Sequence, residues 1–168
     1  MQAIRGVIVG LVASWVKAVS EPRLQVAAER ILPPSPTDKL EVGADPSGHP
    51  ENMPPAVLAD RVARTLGHPG LSLPHRLRIQ DAIHYGMGSG LGVAYLAAAS
   101  RWSAARRGRG ALAGLAIYAG THGSVLPALG IQRPPWRLAP AAVVWESSSH
   151  LVFGAALEAG RSALGGRR

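Results

Sequence analysis

The amino-acid sequence predicts an all-α protein: a four-helix transmembrane bundle with a long extracytoplasmic loop between the first and second helices. Of its 168 residues, 47% are hydrophobic and 17% are charged, against about 25% charged in soluble domains. Three of its four apolar stretches contain 19 or 20 residues, about the number that crosses ~30 Å of hydrocarbon as a helix. Small residues recur at the spacing typical of packed membrane helices. The whole chain is therefore predicted to be a single integral membrane domain.

The four predicted spans are apolar stretches that contain few charged residues. The first covers residues 3–20, where Arg5 and Lys17 can extend their charged ends towards the membrane surface. The other three cover residues 82–100, 110–129 and 138–157. A soluble Ala-rich bundle is one alternative, and a signal peptide at the N-terminus is another. The membrane interpretation is favoured because residues 87–99 carry no charge, whereas a soluble helix shows a polar face every 3.6 residues.

Glycines are predicted to form the closest contacts between these helices. Gly-x3-Gly pairs place two small residues on one helix face, which lets a neighbouring backbone approach. The pairs are Gly6/Gly10, Gly86/Gly90, Gly88/Gly92 and Gly110/Gly114.

The outer loop is predicted over residues 21–80. The first helix should continue past Pro22 and end before Pro33-Pro34. Residues 55–66 gather their larger apolar side chains on one face, which predicts an amphipathic helix on the membrane or against the bundle. The loop has seven basic and seven acidic residues, and this balance gives no sign of binding to a charged polymer.

The orientation is predicted from the arginines. With four spans, the N-terminus, the 101–109 loop and the C-terminus lie on one side. That side carries Arg5, Arg101, Arg106, Arg107, Arg109, Arg161, Arg167 and Arg168. The opposite loop, residues 130–137, has two arginines, so both termini are predicted to be cytoplasmic. This bias and contact with anionic lipid account for the net charge of +8 better than nucleic-acid binding does.

Several polar residues are predicted to lie inside the membrane. A charge at the centre of a membrane helix costs about 2.5–3.5 kcal/mol, so such groups are usually paired or functional. Their depths along the helices describe a polar funnel that opens away from the cytoplasm and closes at His150. The predicted cluster comprises Lys17, Glu21, His84, Tyr95, His122, Glu146 and His150.

Three interpretations of this cluster are open. It can fix the helix register by hydrogen bonds and an ion pair, or sense or relay protons or ions through its histidines. It can also hold a metal or haem, for which the ligand types are present. The candidate ligands are His84, His122, Glu146 and His150. No specific cofactor is predicted.

The function that the residues favour is non-enzymatic, since the sequence has no nucleophilic triad, phosphate-binding glycine loop or dinucleotide fingerprint. The absence of cysteine also excludes thiolate catalysis and Cys-ligated zinc. A subunit of a redox enzyme is the alternative if metal or haem is bound. A second alternative is an accessory subunit of a larger membrane complex, and homo-oligomerisation is open as well.

Residue spacings in all four spans resemble one known family. The pattern consists of Lys17-x3-Glu21, His84-x10-Tyr95, Gly110-x3-Gly114-x7-His122 and Glu146-x3-His150-x7-Glu158-x2-Arg161. The chain resembles the YagU-like family of bacterial inner-membrane proteins. The resemblance implies a four-helix protein of the bacterial inner membrane, and it implies no reaction.

Overall fold

The computed structural model describes residues 1–165, and its secondary structure there is helical, without strands. The predicted all-α class is therefore confirmed for this part of the chain. Arg167 and Arg168, which contributed to the predicted orientation, lie outside the described residues. The five principal helices are α1 (Gln2–Ile31), α2 (Pro54–Thr65), α3 (Leu73–Arg101), α4 (Ala111–Gly120) and α5 (Pro140–Ala163).

Each predicted span lies largely in helical structure, but the helices differ from the spans in length. Helix α1 continues through Pro22 to Ile31, as expected. It ends there because the prolines at 33 and 34 cannot continue the helix. Helix α3 begins at Leu73, nine residues before the predicted second span. The helix predicted over residues 55–66 is confirmed as α2, but its buried residues are Pro54 and three alanines, whereas Val62 and Leu66 of the predicted apolar face are exposed.

The third predicted span is not one continuous α-helix. A π-helical turn, Thr121–Val125, follows α4, and a single helical turn, Leu126–Ala128, ends the segment. Pro127 explains the irregularity, because it has no backbone N–H and its ring displaces the carbonyl four residues earlier, within the π turn. The Ser124 hydroxyl donates to the carbonyl of Gly120 at 2.6 Å, which satisfies a carbonyl in this irregular segment.

One helix among residues 1–165, α1, is both long and apolar enough to cross a membrane. A signal sequence or the core helix of a soluble protein can have the same length and apolar composition. The four-span bundle is therefore not confirmed. Helices α3 and α5 have sufficient length, but glycine, serine and ionisable residues dilute their apolar side chains.

The described residues group into two compact units. The first unit contains Met1–Glu21, Tyr85–Tyr118 and the described residues from Glu146 onward. The second unit contains Pro22–His84 and Ala119–Trp145.

Close helix contacts in the first unit centre on glycines. A Cβ atom at Gly10 would overlap the carbonyl group of Gly88, and one at Gly114 would overlap the carbonyl of His150. Gly6 and Gly110 are similarly close to Val93 and Gly154. The apolar core beside these contacts contains Val9, Ala13, Tyr95, Leu96, Ala99, Phe153 and Leu157.

The predicted contact pair Gly86/Gly90 requires correction. A Cβ at either position would meet nothing within 4 Å among the described residues. The close contacts on α3 are made by Gly88 and Gly92 instead. Positions two residues apart on an α-helix are about 200° apart around its axis. The Gly86/Gly90 pair and the Gly88/Gly92 pair therefore lie on opposite faces of α3, and only the Gly88/Gly92 face packs against another helix.

The second unit packs around Trp145, which is almost completely buried with Ala28 and Ala141. The Trp145 indole N–H donates to the Ala44 carbonyl at 3.3 Å. Arg61 of α2 donates to the carbonyls of Leu129 and Gly130 at 2.7 and 2.8 Å. These contacts organise much of the predicted outer loop into packed structure.

Candidate functional site

A cluster of buried charged residues lies in the first unit. Lys17 and Glu21 are one helical turn apart on α1, and Glu146 and His150 have the same spacing on α5. The Lys17 ammonium donates to Glu21, and its Nζ lies 3.4 Å from Oε1 of Glu146. The structure thus brings together four of the seven residues predicted for the intramembrane cluster. We call Lys17, Glu21, Glu146 and His150 the Lys17 cluster.

Local backbone contacts set the orientation of His150. Its Nδ1 lies 2.9 Å from the Glu146 carbonyl oxygen and 3.4 Å from Oε1 of the same residue. Because a carbonyl can only accept, the neutral imidazole carries its hydrogen on Nδ1, and a second proton would be added at Nε2. The Tyr118 ring packs edge-to-face on the imidazole, with ring centroids 5.5 Å apart.

With both carboxylates ionised and His150 neutral, the formal charges of these four residues sum to −1. Lys17 contributes one positive charge, whereas Glu21 and Glu146 contribute two negative charges. The Lys17 and Glu146 side chains are only 10% and 5% exposed, and burial makes an unbalanced charge costly. Protonation of His150 brings the sum for these four residues to zero.

Tyr95 was predicted to belong to the same cluster as Lys17, but in the structure it contacts a different ion pair. Its hydroxyl donates to Oε2 of Glu158 at 2.6 Å, and the Arg161 guanidinium donates to both oxygens of Glu158 at 2.7 Å. Glu158 lies twelve residues after Glu146 on α5, a rise of about 18 Å. The sequence analysis did not predict this ion pair or its Tyr95 partner, although the i,i+3 spacing of Glu158 and Arg161 is a local signal for it.

His84 and His122 belong to the second unit. His122 lies in the π turn, and its Nδ1 is 2.8 Å from the side-chain oxygen of Gln132. Gln132 is buried, with 5% of its surface exposed. Of the four candidate metal ligands, Glu146 and His150 therefore lie in the first unit and the two other histidines in the second.

A second buried polar network was missed from the sequence. The Gln25 amide donates to Oδ1 of Asp45 at 2.6 Å, and the Ser47 hydroxyl donates to Gln25 at 2.7 Å. Lys39 pairs with Glu29 at 2.7 Å and with Asp45 at 3.5 Å. The four-residue spacing of Gln25 and Glu29 on α1 was a local signal, whereas nothing in the sequence near Asp45 indicated its burial.

The network also shifts the protonation of Asp45. Burial by itself would raise the pKa of this carboxyl, but hydrogen bonds from the Gln25 amide and the Gly48 N–H, together with the Lys39 ammonium, outweigh burial. The pKa of Asp45 is consequently below its usual range. The network connects α1 to the loop through a carboxylate that stays ionised at neutral pH.

Comparison with known proteins relates most of this chain to one family. No curated protein and no solved structure matches it. Residues 23–159 match the family described as Protein of unknown function (DUF1440). The matched region includes Glu146 and His150 and begins after Lys17 and Glu21. Its description is consistent with the YagU-like resemblance, which implied no activity, but it does not test that name. Since the match covers well over half of the residues, the chain belongs to the DUF1440 family of proteins of unknown function.

Proposed function

We propose that this protein is a multi-pass inner-membrane protein in which proton uptake by the Lys17 cluster controls helix packing. The proposed spans are residues 3–20, 82–100, 110–129 and 138–157. Both termini lie in the cytoplasm, as the distribution of arginines favours. The proposed role is non-enzymatic.

The observation that carries the membrane proposal is the reversed polarity of α1 in the first unit. Ile8, Val12 and Trp15 are 48%, 51% and 59% exposed, whereas Lys17 is only 8% exposed. In water this arrangement is unfavourable, because burying one large apolar side chain is worth about 1.5–3 kcal/mol. In a bilayer the preference reverses, since exposed apolar groups contact lipid and charges must be enclosed. Other exposed apolar residues of this unit are Val7, Leu11, Val19, Met87, Leu112 and Leu115.

The proton proposal follows from the charge balance of the Lys17 cluster. His is the side chain that ordinarily changes charge between about pH 5 and 8. A proton on His150 balances the second carboxylate of the cluster, so the packed arrangement of α1 and α5 is most favourable when the imidazole is charged. Deprotonation leaves a net negative charge next to the contact between these helices and weakens it.

The pH dependence of stability tests this mechanism. We expect the free energy of unfolding of the detergent-solubilised protein to fall as pH rises from 5 to 8, by at most about 1.4 kcal/mol per pH unit for one proton. His150→Asn should reduce this dependence, because the positive charge of the His150 imidazole cannot form. Glu146→Gln should also reduce it, because Lys17 and Glu21 then balance without His150. Thermal unfolding across the pH range measures the effect.

His68→Gln is the matched control for this experiment, because His68 is exposed outside the proposed spans. This variant should retain the wild-type pH dependence. Wild-type behaviour in both His150→Asn and Glu146→Gln would contradict the proton mechanism. Repeating the titration at several Na⁺ concentrations and constant ionic strength separates a proton from a monovalent cation, because charge screening is then unchanged and only a bound Na⁺ alters the stability at fixed pH.

Cysteine labelling tests the topology, and the cysteine-free chain makes single-cysteine variants straightforward. His68→Cys places a thiol in the proposed outer loop, and Ser103→Cys places one in the proposed cytoplasmic loop. A membrane-impermeant maleimide added to intact spheroplasts should label the first variant only. Ser103→Cys should react after the membrane is permeabilised.

Each other outcome has a defined meaning. Labelling of both variants in intact spheroplasts would place both positions outside, as expected if α1 alone anchors the chain. Recovery of the unlabelled protein in the supernatant after high-speed centrifugation without detergent would contradict the membrane proposal altogether.

A further inference from the structure

An arginine-lined cavity occurs in the second unit, and none of the residues of the Lys17 cluster lines it. Its volume is about 490 Å³, and it lies against α2 and the first turn of α3. The lining residues are Val57, Asp60, Arg61, Arg64, Thr65 and Arg76. Three positive charges and one negative charge give the lining a net charge of +2, although the segment of residues 21–80 is neutral overall.

The three guanidinium groups are each held by a group of the protein. Arg61 donates to the carbonyls of Leu129 and Gly130, and Arg76 donates through Nη2 to the Glu51 carbonyl at 2.8 Å. Arg64 donates through Nε to Asp60 at 2.8 Å. A guanidinium has five N–H donors, so these contacts orient each group and use only part of its donors.

Asp60 has a structural role in the lining. Its Oδ1 accepts from the Leu71 backbone N–H at 2.8 Å, and its Oδ2 accepts from Arg64. These two contacts hold the pKa of Asp60 below its usual range. The carboxylate therefore stays ionised and fixes the side chain of Arg64 next to the loop between α2 and α3.

The hydrogen-bonding capacity of Arg76 is only partly used by the described residues. Within residues 1–165 its Nε atom is buried and has no hydrogen-bond acceptor. Buried donors of charged groups are nearly always satisfied, because leaving one unsatisfied costs roughly 1–3 kcal/mol or more. The unsatisfied donor leaves part of the Arg76 guanidinium charge uncompensated beside the cavity, and this positive charge favours an anion there.

We propose that the cavity binds a phosphate-type oxyanion through Arg64 and Arg76, with Arg61 adding positive charge. Arginine matches phosphate oxygens with two parallel N–H donors, which a lysine cannot do. The cavity volume is in the range of small-molecule sites, so it accommodates a phosphate together with the group that it esterifies. Both an anionic lipid headgroup and a soluble phosphorylated compound present this chemistry.

Calorimetric titration of the purified full-length protein in neutral detergent tests the site. Inorganic phosphate is one probe, and dihexanoyl phosphatidylglycerol, with dihexanoyl phosphatidylcholine as its zwitterionic control, is the other. We expect Arg64→Gln and Arg76→Gln each to weaken binding by about tenfold or more, as loss of a charged hydrogen bond implies. Arg64→Lys, which keeps the charge but not the paired donors, should bind with intermediate affinity.

Arg78→Gln is the matched control, because Arg78 is exposed on the same helix and does not line the cavity. It should bind like the wild type. Binding of phosphatidylglycerol alone supports a lipid headgroup, and binding of inorganic phosphate supports a soluble ligand. The proposal is overturned if neither probe binds, or if correctly folded Arg64→Gln and Arg76→Gln variants bind with unchanged affinity. These results are independent of the membrane topology and of the titration of His150.

Discussion

The carboxylate of Asp45 is the strongest example of a residue whose role depends on distant partners. It is 5% exposed and accepts hydrogen bonds from Gln25 and Gly48. The sequence near it is polar and rich in Pro and Gly, which predicted an extended loop. Its burial depends on packing against α1, and local composition contains no information about that contact.

Replacement of Asp45 tests this network. Asp45→Ala leaves the Gln25 amide and the Gly48 N–H without their acceptor, so we expect a loss of about 2 kcal/mol in the free energy of unfolding at pH 7. Asp38→Asn is the control, because Asp38 bonds Ser35 at an exposed site, and it should change stability much less. Denaturant unfolding measures both variants, and equal losses would contradict the structural role of Asp45.

The lowered pKa of Asp45 also predicts a pH dependence. A carboxyl whose pKa is lower in the folded state than in the unfolded state stabilises the fold above its unfolded value, about 3.9. This contribution is lost as pH falls through the folded value. Between pH 7 and 3 the wild type should therefore lose more stability than Asp45→Ala. Parallel losses in the two proteins would show that Asp45 does not titrate as its contacts require.

Helix contacts follow the periodicity of the α-helix, but periodicity alone does not determine which face packs. The four-residue spacing in α3 predicted two glycine faces, and the structure uses Gly88 and Gly92. The π turn after α4 was also not predicted, although Pro127 lies next to it. The expectation of a continuous helix there considered the apolar composition and not the missing N–H of the proline.

Alanine substitutions distinguish the two glycine faces by the sign of their effect. Gly10→Ala should destabilise the protein by about 1–3 kcal/mol, because its methyl group would overlap the Gly88 carbonyl. Gly90→Ala should be neutral or stabilise it by up to about 1 kcal/mol, because alanine favours helix and the position is open. Thermal unfolding in detergent measures both. Destabilisation by Gly90→Ala comparable to that of Gly10→Ala would show that this face is also packed.

The whole molecule carries an overall positive charge, and three of its arginines also lie together around one cavity. The net charge of +8 and the positions of the arginines are sequence properties that support the proposed orientation. Averaging over residues 21–80 gives neutrality, yet Arg61, Arg64 and Arg76 line one cavity. The neutral net charge of the segment did not reveal this cluster of positive charge, because the three arginines lie on two different helices and are brought together only by the turn between them.

The sequence by itself determined the helical class, the approximate positions of the helices and the side chains that share a helix face, including Lys17 with Glu21 and Glu146 with His150. These properties depend on local composition and on a repeat of 3.6 residues. The tertiary structure decided that α1 and α5 bring those two pairs together, that Tyr95 bonds Glu158, and that Asp45 is buried. Contacts of this kind join residues far apart in the chain, and their geometry depends on how the helices pack.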